Sequence, residues 1–326
     1  MNRLEPIDFE PTRTAMLPEG PEKRSRLFQR VGVAIFGVVL FFAFLLLKLP
    51  EARIQNLIVA HIRILAQQQG FLFSAEKVKI GMLLGPSLKF ENIELKSLAD
   101  ERQSFKIPYL KIRPQLLSLI SKVRKASITA ELQEGEVSGA VGASAAAAVV
   151  DLDLDTVRVD SARGGNIANL LKDFAPVDVS GLIDGQIDVA LDFENAQKST
   201  GKIQLELNQI TLPAQSVYGF NLPKVGIGKS KIDLAINQGQ LQIRAFEVGK
   251  DIKTDDIVAR VTGDGTLDRR IERSRINAKA NFELSKNLIQ SLPLLDALLG
   301  TGKTPDGKYA YRLSGTLSAL EAQPGR

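Results

Sequence analysis

Apolar positions along this chain fall into three successive patterns. First comes an unbroken run, Val31 to Leu47 (VGVAIFGVVLFFAFLLL), seventeen residues without a charge. Leu49 and Pro50 extend it if Lys48 carries its ammonium outward to headgroup level. A bilayer crossing needs roughly 20 apolar residues, with about 17 at the short end, so residues 31–49 are predicted to form a transmembrane helix. Next, Ile54, Leu57, Ile58, Ile62 and Leu65 recur at helical spacing before Gly70, which predicts an amphipathic helix over residues 50–69. His61 lies on or beside its apolar stripe.

After Gly70 the period drops to two. Val78 and Ile80 alternate with Lys77 and Lys79, and Leu88, Phe90, Ile93 and Leu95 open further strands. Ile187, Val189, Leu191 and Phe193 alternate with Asp188, Ala190, Asp192 and Glu194, and Ile203, Leu205 and Leu207 alternate with polar residues in the same way. Ile232, Leu234 and Ile236 lead into Gln238-Gly239, after which Leu241 and Ile243 resume the pattern, so this pair predicts a hairpin. Ile276 to Phe282 and Tyr309 to Leu313 supply later strands. Strict alternation predicts antiparallel sheet with one apolar and one wet face. Ile167, Leu170, Leu171 and Phe174 predict a short helix. Leu288, Leu292, Leu295 and Leu299 predict another, kinked or split by Pro293. The fold class is mainly β, with an N-terminal transmembrane helix and a few short helices.

Charge gives the membrane segment a direction. Lys23, Arg24, Arg26 and Arg30 precede it, whereas only Lys48 and Arg53 follow closely. The excess of positive charge on the cytoplasmic side leaves 1–30 in the cytoplasm and the remainder exported. No small-x-small cleavage site follows the run; the chain continues Lys-Leu-Pro-Glu. The tail carries Pro6, Pro11, Pro18 and Pro21 and is predicted to be disordered. The predicted organisation is then a tail (1–30), a membrane helix (31–49), a membrane-proximal helix and β subdomain (50–139), and a β-rich domain (149–326). Between the last two, AVGASAAAA at 140–148 is either a linker or a strand whose backbone packs closely.

Composition removes several kinds of chemistry. There is no cysteine and a single histidine, so disulfides, thiolate nucleophiles and Cys/His metal sites have no donors. With net charge +5 and 6% aromatics, neither an extended basic surface nor a base-stacking platform is predicted, and nucleic acid is excluded as a partner. Gly300-Thr301-Gly302-Lys303-Thr304 imitates the end of a phosphate loop, but Ala297 occupies the place of its first glycine and a helix precedes it, so it is read as a turn. Asp151, Asp153 and Asp155 imitate a calcium loop; Thr156 and Ala162 break that pattern, and Leu152, Leu154, Val157 and Val159 make the segment a strand. No catalytic, cofactor-binding or metal-ligating residue is assigned, and the chain is read as non-enzymatic.

One charge asymmetry bears on partners. Lys106, Lys111, Arg113, Lys122, Arg124 and Lys125 fall in a stretch, Gln103 to Lys125, that has no acid. Asp151 to Glu194 holds ten acids against Arg158, Arg163 and Lys172. The basic tract is a candidate headgroup-facing surface and the acidic tract a candidate partner-facing one; the alternative is two solvated sheet faces.

The tract EKVKIGMLLGPSLKFENIELKS at 76–97 resembles the N-terminal strands of the AsmA-like superfamily, which follow a membrane anchor and a helix. PVDVSGLIDGQIDVALDF (176–193), TGKIQLELNQITLP (200–213) and GKYAYRLSGTLSAL (307–320) extend the resemblance, which covers about residues 30–320 and points to the type II secretion system protein N (GspN) family. It implies an AsmA-like curved sheet or sandwich. It also implies a single-pass bacterial inner-membrane protein with a periplasmic C-terminal domain, serving other secretion-system components without chemistry of its own. The alternative is a lipid-handling module whose apolar sheet face takes phospholipid acyl chains. Ile187, Val189, Leu191, Ile203, Leu205, Ile232 and Leu234 would line such a groove, or they form a closed core.

Overall fold

The computed structural model describes residues 51–325, apart from 69, 82–84, 99–103, 162–176, 218–219, 271–272 and 293–298. The predicted tail, the predicted membrane helix and the predicted helix at 167–174 lie outside these residues. Among the described residues no helix is long and apolar enough to cross a membrane. The chain divides into two compact units, Met1–Ile54 and Gln55–Arg326; the second contains the sheet.

Helix α1 (Glu51–Gln68) ends at Gly70, whose φ of 82° turns the chain into β1. The strands follow as β1 (Phe71–Gly81), β2 (Ser87–Ser97), β3 (Ser104–Pro114), β4 (Arg124–Glu131), β5 (Glu136–Ala143), β6 (Ala147–Asp160), β7 (Ser180–Asp192) and β8 (Thr200–Leu212). A small ribbon, β9 (Gln215–Val217) and β10 (Phe220–Leu222), intervenes. Then come β11 (Val225–Asn237), β12 (Gln240–Val248), β13 (Ile257–Thr266) and β14 (Arg275–Leu284), helix α2 (Lys286–Ser291), β15 (Tyr309–Thr316) and β16 (Ala319–Pro324).

Fourteen of these strands pair in simple sequence order as one antiparallel sheet, with β9 and β10 set aside. The two-sheet sandwich is therefore not formed. Thirteen strand spacings of about 4.8 Å make the sheet roughly 60 Å wide along its hydrogen bonds. Residues 140–148 make the end of β5, a turn and the start of β6, and the sheet runs through them without a break. The predicted hairpin at Gln238-Gly239 joins β11 to β12, and both turn residues have positive φ, 50° and 74°, as a two-residue turn matched to strand twist requires. Asp151, Asp153 and Asp155 lie on β6, and Gly300–Gly302 is a 3-10 turn.

The two rims of the sheet differ. One carries α1, the end of β6 and the start of β7, the β9–β10 ribbon, the 249–256 loop and α2; the other carries the shorter strand-to-strand turns. Asp255, 4% exposed, ties the first rim together. Its Oδ1 accepts the Gly228 N–H (2.6 Å) and its Oδ2 those of Lys250 (2.7 Å) and Asp251 (3.1 Å). Asp256 accepts from the Gly226 N–H (2.8 Å) and the Ser285 hydroxyl (2.9 Å), and the Ser285 side chain caps α2.

The stripe that α1 buries keeps Ile58 and Ile62 of the predicted set and is shifted toward Val59 and Ala66. Ile58, Val59, Ile62 and Ala66 pack against Phe73, Phe90 and Ile93 of β1 and β2, while Leu57 and Leu65 are 71% and 48% exposed. The helix is apolar over more than one stripe, and Val59 and Ala66 belong to the one that meets the sheet. His61 is exposed.

Candidate functional site

Strand pairing carries a side chain onto the same face as its Cα partner, so the register traces complete rows across the sheet. One row starts Ile80, Leu88, Ile112, Ile128, Gly139 and Leu152, one residue from each of β1 to β6. It continues without a break through Ile187, Ile203, Leu234, Ile243, Gly263, Ala278, Leu313 and Ala322 to β16. Not one of its fourteen positions is polar. The adjacent row is equally apolar from Val78 and Phe90 through Leu110, Ala130, Val137 and Leu154. It proceeds through Gly185, Leu205, Ile232, Phe246, Val261 and Ala280 to Tyr311 and Pro324.

The opposite face is polar. Lys79, Lys89 and Lys111 are consecutive partners on β1, β2 and β3, and the same row passes through Thr129, Ser138, Asp153, Gln186 and Gln204 to Asp233. Glu91 lies between Lys79 (2.6 Å) and Lys77 (3.7 Å), and the Lys79 hydrogen bond in particular holds its pKa below the ordinary carboxylate value. Lys229, 2.7 Å away, does the same for Glu206.

Two clusters of buried side chains flank the apolar face. Under α1, Phe73, Phe90 and Ile93 gather residues of β1 to β3. On the α2 side, Val225, Ile227, Leu284, Leu288 and Tyr309 form the second cluster, joined by Ile210, Leu212, Phe282 and Tyr311. Between them Ile128, Val137, Leu152, Leu154, Ile187, Ile203, Leu205, Ile232, Leu234 and Ile243, all members of these two apolar rows, are half-buried.

The seven residues predicted to line a groove share this face. Ile187, Ile203 and Leu234 are direct partners in one row and Leu205 and Ile232 in the next, with Val189 and Leu191 at the same parity on β7. The six basic residues do not form one surface. Lys111, Arg113 and Lys125 lie on the polar face, Lys106 approaches Glu94 (3.8 Å), and Lys122 and Arg124 are at the rim of short turns.

Sequence reading named no strand at β3, β4, β13 or β16, and touched β5 only through the small-residue stretch 140–148. Glycine and alanine stand in those rows without a hydrophobic signature. Apolar parity also slips by one near the first rim: Ala75 to Val78, Phe90 to Ile93 and Ile107 to Leu110 change together, and both halves join one cluster. Asn92, Thr156 and Gln209, each with φ near 50°, mark such slips on β2, β6 and β8.

No family model, curated protein or solved structure matches this chain. The face itself can do only limited chemistry. It offers contact to methylene groups and no nucleophile, acid or base. Among the described residues no group of three or more His, Asp or Glu side chains could hold a metal ion.

Proposed function

We propose that the protein is a non-enzymatic lipid-handling module that takes the acyl chains of phospholipid along the apolar face of its sheet. One observation carries this: two apolar rows cross all fourteen strands, yet Ile187, Ile203, Leu205, Ile232 and Leu234 at their centre are half-buried, while Ala130 and Val189 on the same face are buried. An apolar sheet face must be covered by another layer or by apolar ligand. Sheet twist accumulated over many strands coils a sheet, and a coiled, open face would leave these side chains partly shielded from water. The membrane helix predicted at 31–49 fits this reading, since it would tether the domain to a source of lipid.

The test is face-specific photo-crosslinking in the full chain within native membranes. A benzophenone amino acid at Ile203 is expected to give phospholipid adducts, and one at Gln204, on the opposite face, none. Equal yields at both positions, or adducts at neither, would overturn the reading.

The resemblance to the GspN family supports a second reading, in which the module serves type II secretion from the inner membrane. The feature that favours a protein partner is β16, which ends the sheet, is exposed throughout and leaves one edge without a neighbouring strand in the sheet. Deleting the gene would retain a discrete set of folded exoproteins in the periplasm; an unchanged secretome would remove this reading and leave the lipid one standing.

A further inference from the structure

The connection between β3 and β4 reads Gln115-Leu-Leu-Ser-Leu-Ile-Ser-Lys-Val-Arg124, with a 3-10 turn at Leu116–Ile120. Three of its aliphatic side chains point into solvent: Leu116, Leu117 and Ile120 are 55%, 88% and 91% exposed. They are not there because the segment is loose. Ser118 is the buried member at 8% exposure. Its hydroxyl donates to Gln115 O (2.6 Å), with Lys125 O 3.1 Å away, and accepts the Lys125 N–H (2.8 Å). The Ser121 hydroxyl lies 2.5 Å from Val123 O and 2.8 Å from Ser118 O, and the Gln115 N–H closes the strand ends onto Lys125 O (2.9 Å). With Ser118 buried and Ser121 bonded to carbonyls of the turn itself, Leu117 and Ile120 stay outward.

Exposed aliphatics on a fixed turn cost free energy in water unless something covers them. The charges beside them indicate what does. Lys122, Arg124 and Lys125 are exposed, and no acid occurs from Gln103 to Lys125. Protein hot spots favour Trp, Tyr and Arg, whereas a tip of Leu and Ile ringed by Lys and Arg matches the boundary between acyl chains and anionic headgroups. We propose that this turn docks on an anionic bilayer surface, with Leu116, Leu117 and Ile120 inserted below the headgroups and Lys122, Arg124 and Lys125 paired to phosphates. The docking stands whether or not acyl chains occupy the central face of the sheet, because none of these residues belongs to its rows.

A chain without cysteine makes the test direct. Leu117→Cys or Ile120→Cys in the full chain, carrying an environment-sensitive fluorophore, is reconstituted into vesicles of phosphatidylethanolamine and phosphatidylglycerol. The expected result is a blue-shifted emission quenched by lipids with a nitroxide high on the acyl chain. Asp153→Cys, on the polar face, is expected to show neither. Replacing Lys122, Arg124 and Lys125 together by Gln should abolish quenching at Ile120→Cys, and so should vesicles of phosphatidylcholine alone. Probes at Leu117 and Ile120 that behave like the one at Asp153, or that quench equally with neutral vesicles and without the three cations, would overturn the proposal. So would a benzophenone at Ile120 that captures protein and no lipid in native membranes.

Discussion

Replacing Ile203 by Glu separates an open lipid-binding face from a closed core. Ile203 sits in the middle of β8 between its partners Ile187 and Leu234, and it is half-buried. In a closed core the variant would lose about 2–3 kcal/mol of burial and leave a carboxylate in an apolar interior, for several kcal/mol more. That sum approaches the total stability of a typical domain, about 5–15 kcal/mol, and the domain would unfold. On an open face the carboxylate reaches water, and only part of the burial term, about 1 kcal/mol, is lost.

The effect on ligand is larger. At about 1.3 Å per methylene, about four methylenes pass over each strand spacing of about 4.8 Å. At about 0.8 kcal/mol per buried methylene they contribute about 3 kcal/mol, and losing them lowers affinity roughly 100-fold. Stability is read by pulse proteolysis of native membranes, and occupancy by the lipid adduct of a benzophenone at Leu234 in the Ile203→Glu background. The expected outcome is a folded domain with its adduct nearly gone. Unfolding would show that the face is a closed core, and an undiminished adduct in a folded domain would show that lipid does not lie across Ile203. Lys202→Gln, exposed on the polar face of the same strand, should change neither readout.

Other expectations concern the frame that holds this face. Asp255→Ala strands three backbone N–H groups at the first rim and should destabilise by about 3 kcal/mol or more, visible as a lowered denaturation midpoint. Burial acts to raise the pKa of Asp255, but the N–H groups of Lys250, Gly228 and Asp251 outweigh it and hold the pKa below the usual value. The stabilisation is therefore complete above the unfolded pKa of about 3.9 and is lost as pH falls through the lower folded value; the gap between wild type and Asp255→Ala should be constant near neutrality and shrink below about pH 4. Gly185 has φ 146°, and a Cβ there would lie 2.1 Å from Gln204 O on β8, so Gly185→Ala should destabilise by about 2–4 kcal/mol in the same denaturation assay. A smaller effect of the opposite sign is expected for Lys89→Glu, which relieves the Lys79–Lys89–Lys111 row. It should stabilise by a few tenths of a kcal/mol at low salt and not at high salt; a gain that persists in high salt would refute an electrostatic cause.

Alternation is a local property, and it determined much. Ile187–Leu191, Ile203–Leu207 and Ile232–Ile236 announce antiparallel strands with one apolar side because side chains on a strand must alternate. Gln238-Gly239 announces its hairpin because few residue pairs accept two positive φ values. Those signals alone placed seven residues on one face. What they could not fix is which strand lies beside which. That rests on backbone pairing between residues far apart in sequence, and it made one sheet from segments that would equally have formed a sandwich. The rows through Gly139, Gly185 and Gly263 were hidden because a glycine has no side chain to signal a face, yet adjacent backbones close on each other there. The slips at Asn92, Thr156 and Gln209 were hidden because polarity alone does not show that a residue will take positive φ within a strand. In α1 several apolar stripes were available, and the sheet selected the one with Val59 and Ala66. Nothing in the sequence marks Leu117 and Ile120 as exposed; the folded turn, held by the hydrogen bonds of Ser118, leaves them outward.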